Sequence, residues 1–348
     1  MRAVRVLVID DSMTMRRLIR LALSSDPRIE VVGEARDAQQ AKERLAELRP
    51  DVLTLDVEMP GMSGLEFLER LMAVRPMPVI MVSTETHAGS AAAIEALSIG
   101  AFECVGKPIN AMAAQDFAML PDLVVAASSA RIAPRPRAAL PRPAGTPPPT
   151  GFIWNGRFVL IGSSTGGVDA LERILGEFPP NCPPTVITQH MPAGFLASFA
   201  QRLDSRMRPR IQLASTGAPL LPGNVYIAPG GDTHLAIASP RSPVCQLIEA
   251  DKRNGHRPSI EYLFETGAQL GDKAVAVMLT GMGRDGAEAM LAMRRAGAVC
   301  LAQDEASSVV WGMPRIAHEI GAAQRLVPLA SMASEILGAS GRAVRAAS

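Results

Sequence analysis

Between Asp122 and Asp169 the chain carries no acidic residue, and within that interval APRPRAALPRPAGTPPPTG packs seven prolines into Pro134–Pro149. Proline fixes φ and lacks a backbone donor, so such a run neither sustains a helix nor enters the interior of a sheet. It reads as an extended, partly stiff connection. Folding must therefore happen on either side, with residues 1–122 as one domain, 123–151 as the connection and 152–340 as a second domain. A length of 348 residues suits two domains that each bury a core. Arg131, Arg135, Arg137 and Arg142 could touch an acidic surface, although a solvated linker is the simpler reading.

On both sides, short apolar runs alternate with segments of helical periodicity. VRVLVI, EVVGEA, DVLTLD, MPVIMVS and AFECV come before the prolines; RFVLIG, PTVITQH, NVYIAP, AVAVMLTG and AVCLAQ come after. Helical stretches such as TMRRLIRLALS, AQQAKERLAEL, IEYLFETGAQL and GAEAMLAMRRAG lie between some of them. Strands alternating with helices predict two α/β domains with parallel sheets, and strands apolar throughout suit sheets covered on both faces. No internal repeat is present.

Composition narrows the function. A hydrophobic share of 48% with 20% charged residues is an ordinary globular balance. The net charge is +1, and residues 152–348 hold 18 Lys+Arg against 16 Asp+Glu, so neither the chain nor its second half has a field for nucleic acid or anionic lipid. Cys104, Cys182, Cys245 and Cys300 form no C-x-x-C pair, which argues against a metal site or a disulfide framework. No apolar run approaches the roughly 18 residues that span a bilayer. Asp10 and Asp11 follow the first apolar run too soon for a signal peptide. A soluble, cytoplasmic protein without membrane insertion is expected.

In an open α/β sheet, ligands bind outside the carboxyl ends of the strands. In the first domain those ends carry Asp10 and Asp11, Asp56, Ser83, and Lys107 before Pro108. Clustered carboxylates call for a hard divalent cation, and Mg²⁺ fits because it uses few carboxylates and keeps water and phosphate ligands. One carboxylate could then accept a phosphoryl group, with Lys107 and Ser83 holding its oxygens. A plainer reading makes Asp10 and Asp11 caps of the following helix.

In the second domain, FVLIGSSTGGVDAL has the spacing of neither a P-loop nor a dinucleotide fingerprint. Gly162-Ser163-Ser164-Thr165-Gly166 is formally G-x-S-x-G between a strand and a helix, with Ser164 at the tip. A serine nucleophile needs a base, and His190 ends the strand PTVITQ on the same sheet edge. His234 and His256 are further candidates for touching substrate, and His318, inside a helical segment, is read as structural. The orienting carboxylate is Asp285, in the glycine-rich turn of VMLTGMGRDGAEAM. Backbone N–H groups of the two glycine-rich turns could form an oxyanion hole, where one donor is typically worth about 3–4 kcal/mol of barrier. The plainer alternatives are a helix-capping serine, a partner-binding output domain without catalysis, or a generic serine hydrolase.

The motifs VLVIDDS, LTLDVEMPGMSGLEFL, VIMVST and VGKP resemble response-regulator receiver domains over about the first 120 residues. That resemblance implies a flavodoxin-like (βα)5 fold with Asp56 as phospho-acceptor. It implies Mg²⁺ held by Asp11, Asp56 and the Glu58 carbonyl with Asp10 assisting, and Ser83 and Lys107 sensing the phosphate. Cys104 departs from the pattern, standing where such domains carry an aromatic switch residue. The motifs IGSSTGG, QHMPAGF, VYIAPGGDTHL, HRPSIEYLF, LTGMGRDGA and AQDEASSVVWGMP resemble the catalytic domain of chemotaxis protein-glutamate methylesterases of the CheB type, from about residue 155 to 330. This implies a doubly wound, mostly parallel α/β esterase domain with Ser164, His190 and Asp285 as triad. Thr165 and the Met282 backbone would line the oxyanion site, and no cofactor is called for in this domain. It further implies methyl-ester hydrolysis and glutamine deamidation on the cytoplasmic domains of methyl-accepting chemoreceptors. A histidine kinase would act as phosphodonor, and the unphosphorylated receiver would cover the active-site face.

Overall fold

The computed structural model describes residues 2–83, 87–107, 117–130 and 152–343. The chain divides into two compact units, residues 1–137 and 138–348. Pro108 and the arginine-bearing part of the expected linker lie outside the described residues.

The first unit alternates β1 (Val4–Ile9), α1 (Met13–Ser24), β2 (Ile29–Ala35), α2 (Ala38–Leu48), β3 (Val52–Asp56), α3 (Gly64–Val74), β4 (Val79–Ser83), α4 (His87–Ile99), β5 (Glu103–Gly106) and α5 (Leu120–Ser128). The strands pair in parallel in the order β2-β1-β3-β4-β5. β3 and β4 are buried at every position, as runs of Val, Leu, Ile and Met between two helical layers require. Ser63 opens α3 with a capping box: its hydroxyl accepts from Glu66 N–H and its own N–H donates to the Glu66 carboxylate. α5 buries Leu123, Val124 and Ala127 against α1, β1 and β4. The first unit therefore runs to at least Ser128, and the boundary expected at residue 122 falls short, because an apolar helical stripe continues past it.

The second unit comprises β6 (Phe152–Trp154), β7 (Phe158–Ser163), α6 (Gly167–Gly176), β8 (Thr185–Gln189), α7 (Ala193–Arg206), β9 (Arg210–Leu213), β10 (Asn224–Ile227), β11 (Thr233–Ala238), β12 (Val244–Glu249), α8 (Ile260–Gly267), β13 (Ala274–Met278), α9 (Ala287–Arg295), β14 (Val299–Gln303), α10 (Met313–Glu319), β15 (Arg325–Val327), α11 (Leu329–Ser340) and β16 (Gly341–Ala343). Its seven-stranded sheet is parallel throughout, in the order β15-β14-β13-β7-β8-β10-β9. Strand order runs outward in one direction from β7 and resumes on the other side with β13. The crevice beyond the ends of β7 and β13 is thus the switch point where doubly wound sheets bind ligands. Antiparallel pairs β11–β12 and β6–β16 stand apart from this sheet; β16 carries the domain past its expected end at residue 340. Phe158, Leu160, Phe264, Met290 and Met293 are among the side chains packed into the core, each large one worth roughly 1.5–3 kcal/mol when fully buried. Among the described residues no helix is long and apolar enough to cross a membrane, and all four cysteines are free and buried.

Candidate active site

Ser163 and Gln189 are paired residues at the ends of the neighbouring parallel strands β7 and β8. The next residue on each strand is Ser164 and His190, so the sheet register itself brings the two expected side chains to adjacent strand ends. Their backbones are cross-tied. His190 N–H donates to Ser163 O at 3.0 Å, and Ser164 N–H donates to Thr280 O beyond β13 at 3.0 Å. Gln189, buried, accepts the Ser163 hydroxyl at 2.6 Å and donates its amide to Ser164 O at 3.0 Å and His190 O at 3.1 Å. The Thr280 hydroxyl donates to Thr165 O at 2.9 Å and accepts from Val310 N–H at 3.0 Å. Three strand-end loops are thereby fastened around Ser164. A Cβ on Gly281 would stand 2.7 Å from the Ser164 Cβ, so only glycine lets the turn after β13 approach this closely.

Asp285 lies in that turn, almost wholly buried. Its Oδ2 accepts from His190 Nε2 at 2.8 Å and from Ile260 N–H at 2.7 Å. Its Oδ1 accepts from the Ser259 hydroxyl and from Asn254 Nδ2, each at 2.8 Å. Ser259 is the N-cap of α8, so the open end of that helix also faces the carboxylate. Burial by itself pushes the Asp285 carboxyl up, but the hydrogen bond and charge of His190, with the bonds from Asn254 and Ser259, hold it at about 2. Asp285 is therefore ionised at neutral pH. An ionised acceptor places a proton on His190 Nε2, which leaves Nδ1 as the ring's lone-pair atom. Nδ1 is buried with no hydrogen-bond partner. His190 Nδ1 makes no hydrogen bond to the Ser164 hydroxyl in this structure, but a free imidazole lone pair at the strand end next to that of Ser164 is what a general base needs.

The other expected residues fall as follows. Thr165 is buried beside Ser164, and Met282 is half-buried in the turn after β13. His234 is buried, accepts from Ser259 N–H on Nδ1 at 3.0 Å, donates from Nε2 to Asp251 O at 3.0 Å and stacks on Tyr262. It supports the fold and is not exposed to a substrate, correcting its candidacy. His256 stacks on the His190 ring, with centroids 3.7 Å apart. His318 is exposed in the last turn of α10 rather than buried in a structural role. Sequence reasoning missed Gln189, Asn254, Ser259 and Thr280 as supports. Of these only Ser259, a serine directly before an apolar helix, and Asn254, in an Asn-Gly pair, carried a readable signal.

In the first unit, Lys107 Nζ lies 2.7 Å from Asp56 Oδ2 and 3.1 Å from Asp10 Oδ2. Asp10 Oδ1 accepts from Ser12 N–H at 2.8 Å, and Asp56 Oδ1 from Glu58 N–H at 3.2 Å. Ser12, not either aspartate, is the N-cap of α1, which removes the capping reading of Asp10 and Asp11. Ser83 is buried at the end of β4, and its carbonyl accepts from Lys107 N–H at 2.7 Å. Oxygens of Asp10, Asp11 and Asp56 lie within 4.8 Å of one another. Two of these three carboxylates, Asp10 and Asp56, share one lysine here. Burial, reinforced by the neighbouring Asp10 charge and opposed by Lys107, pushes Asp56 up to about 6, and burial likewise raises Asp10. Asp10 Oδ2 is buried, and its partner is the Lys107 ammonium 3.1 Å away. The donor set and its excess negative charge fit Mg²⁺. Cys104 is buried in β5, where burial raises its thiol and keeps it protonated.

The model of the CheB methylesterase family matches residues 159–336, and that of the response regulator receiver domain matches residues 6–116. The chain is 52% identical to a protein-glutamate methylesterase/protein-glutamine glutaminase of Agrobacterium fabrum, over 96% of this chain and 95% of that one. It is 53% identical to protein-glutamate methylesterase/protein-glutamine glutaminase 1 of Caulobacter vibrioides, over 97% of this chain and 98% of that one. The crystal structure of the Thermotoga maritima CheB methylesterase catalytic domain superposes with a TM-score of 0.51 at 38% identity, covering 53% of this chain and 98% of that one. With its own receiver domain ahead of the catalytic one, the chain belongs to the CheB methylesterase family.

Proposed function

We propose that this protein is a phosphorylation-activated protein-glutamate methylesterase and protein-glutamine glutaminase, working through Ser164, His190 and Asp285. The observation that carries the reading is the pairing of an ionised, four-times hydrogen-bonded Asp285 with His190 Nε2, which frees the buried Nδ1 to act as base. His190 Nδ1 takes the Ser164 hydroxyl proton as the oxygen attacks the γ-carbonyl of a glutamyl methyl ester. Asp285 stabilises the imidazolium that results. Thr165 and the Met282 backbone line the site of the developing oxyanion. The Nδ1 proton passes to the leaving methoxide, methanol departs, and the same nitrogen then takes a proton from water as it attacks the acyl-serine and returns it to the departing Ser164 oxygen, releasing glutamate. Attack on a glutamine amide releases ammonia by the same steps.

The substrates in this reading are the cytoplasmic domains of methyl-accepting chemoreceptors. The protein would be cytoplasmic and recruited to receptor arrays at the inner face of the membrane. A histidine kinase donates the phosphoryl group to Asp56. Asp10, Asp11, Asp56 and the Glu58 carbonyl would hold Mg²⁺, which when bound offsets negative charge on the carboxylates and the incoming phosphoryl group. Lys107 and Ser83 then contact the phosphate, and ester hydrolysis by the second domain rises. The test is methanol release from methylated receptor fragments, with and without a small phosphodonor. Wild type is expected to accelerate with phosphodonor, Asp56→Asn to lose only that acceleration, and Ser164→Ala to release none. Wild-type activity in Ser164→Ala would overturn the triad.

A further inference from the structure

One short segment outside the candidate triad touches both its base and its acid. Arg253 and His256 exchange backbone hydrogen bonds at 3.0 Å in each direction, enclosing Asn254 at φ 53° and Gly255 at φ 81°. Asn-Gly with positive φ at both positions is the chemistry of a two-residue type I′ turn. The turn presents two side chains to the site. Asn254 Nδ2 donates to Asp285 Oδ1 at 2.8 Å. The His256 ring lies on the His190 ring, centroids 3.7 Å apart and planes 7° from parallel. The turn is itself anchored on both flanks. Arg253 pairs with Glu265 at 2.6 Å and sets its guanidinium over Tyr262, 5.2 Å from the ring centroid. Arg257 pairs with Asp232 at 2.6 Å and donates to Ala250 O at 3.1 Å.

We infer that the Arg253–His256 turn is a two-point clamp on the His190–Asp285 pair, in which His256 positions the plane of the His190 imidazole and Asn254 positions the Asp285 carboxylate. The inference rests on the serine-hydrolase reading above and deepens it. A ring tied to Asp285 only through Nε2 can still rock about that bond, and rocking sweeps Nδ1 away from Ser164. A flat ring against its face removes that freedom. His256 can do this without placing a like charge on the imidazolium, because burial and the neighbouring His190 lower its pKa to about 4; Lys252 acts in the same direction and Asp285 opposes it. The role assigned to His256 belongs to the ring face, not to its nitrogens, so another flat aromatic ring should serve.

The test uses the full chain with phosphodonor, comparing wild type, His256→Ala, His256→Phe and Asn254→Ala in methanol release. Alongside, NMR follows the low-field proton between His190 Nε2 and Asp285, which is readable whether or not the substrate is right. Loss of about 10- to 100-fold in kcat with KM unchanged is expected for His256→Ala, the scale of a small misplacement of a catalytic group. Its low-field proton should broaden. His256→Phe should recover most of the kcat and a sharp proton signal, and Asn254→Ala should lower kcat without touching KM. Wild-type kcat and a sharp signal in His256→Ala would overturn the clamp. So would His256→Phe being as slow as His256→Ala, since His256 would then act through a nitrogen. If wild type released no methanol while the proton still broadened in His256→Ala and returned in His256→Phe, the clamp would stand and the esterase reading would fall.

Discussion

Asp285 accepts four hydrogen bonds from His190, Asn254, Ser259 and Ile260, and its displacement from 3.8 to about 2 corresponds to about 2 kcal/mol of folding stability. The folded value lies below the unfolded one, so this stability is present above about pH 4 and is lost as pH falls through about 2. Asp285→Asn should therefore flatten the decline of urea stability across that interval. It should also cut kcat by about 10⁴-fold, because an amide no longer selects the tautomer that frees Nδ1. His256 acts at milder pH. Its folded value of about 4 lies below the ordinary 6.5, so it contributes stability above about pH 6.5 that is lost as pH falls through about 4. Burial sets this window first, with the charges of His190 and Lys252 acting in the same direction and Asp285 opposing them. Urea midpoints of His256→Phe should fall less steeply than those of wild type between those two values. At Gly281, a single added methyl would meet Ser164 Cβ at 2.7 Å and Met313 Cε at 2.6 Å. Gly281→Ala is expected to cost about 1–3 kcal/mol and to lower kcat by displacing Ser164, read from a melt and a methanol assay together.

At the scale of elements, the site exists because three loops after parallel strands are tied to one another rather than each packing alone. Gln189 is the tie between β7 and β8, and its loss leaves the Ser163 hydroxyl buried without its partner and the Ser164 carbonyl with Gly167 N–H alone. Gln189→Leu should destabilise by roughly 1–3 kcal/mol and slow turnover, measured by urea titration and kcat. The strands that carry these residues were legible because β7 and β13 are largely apolar runs and β8 is rich in β-branched residues, each followed by turn residues. The short edge strands β9 and β15 and the β11–β12 hairpin were not legible as such. RIQL and RLV are too short and too mixed for periodicity to register, and the hairpin's apolar side is explained only by the helix α8 that packs on it. The expected boundary at residue 122 falls inside α5 because the apolar stripe of that helix adjoins the proline-rich stretch.

For the whole molecule, two compact units joined through a proline-rich stretch suit a regulator whose input and output fold separately. If the unphosphorylated receiver obstructs the catalytic face, a chain reduced to residues 152–348 should release methanol without phosphodonor faster than the full chain does. Equal rates would remove obstruction as the mode of control. Turning a gate from 99% shut to 99% open requires a coupling of about 5.5 kcal/mol, so a partial opening is the expected amplitude. The rate ratio between phosphorylated and unphosphorylated full chain measures that coupling directly.

Asp10, Asp56, Lys107, Ser164, His190 and Asp285 could all be named from the chain because each stands at the end of a strand or in the turn after it, and strand ends in an open α/β sheet share one edge whatever the loops do. The two-unit division and the parallel sheets follow from patterning in the same way. What patterning could not decide was which side-chain atoms meet across elements distant in sequence. That Asp285 takes His190 by Nε2, that Ser259 and Asn254 share its other oxygen, and that His256 lies flat on His190 depend on packing between β8, α8 and two turns. Hydrogen bonds and ring contacts form only where tertiary packing brings donor, acceptor and ring within a few ångströms. Strand position follows from the local hydrophobic period; the partners of Nδ1 and Nε2 are a property of the folded whole.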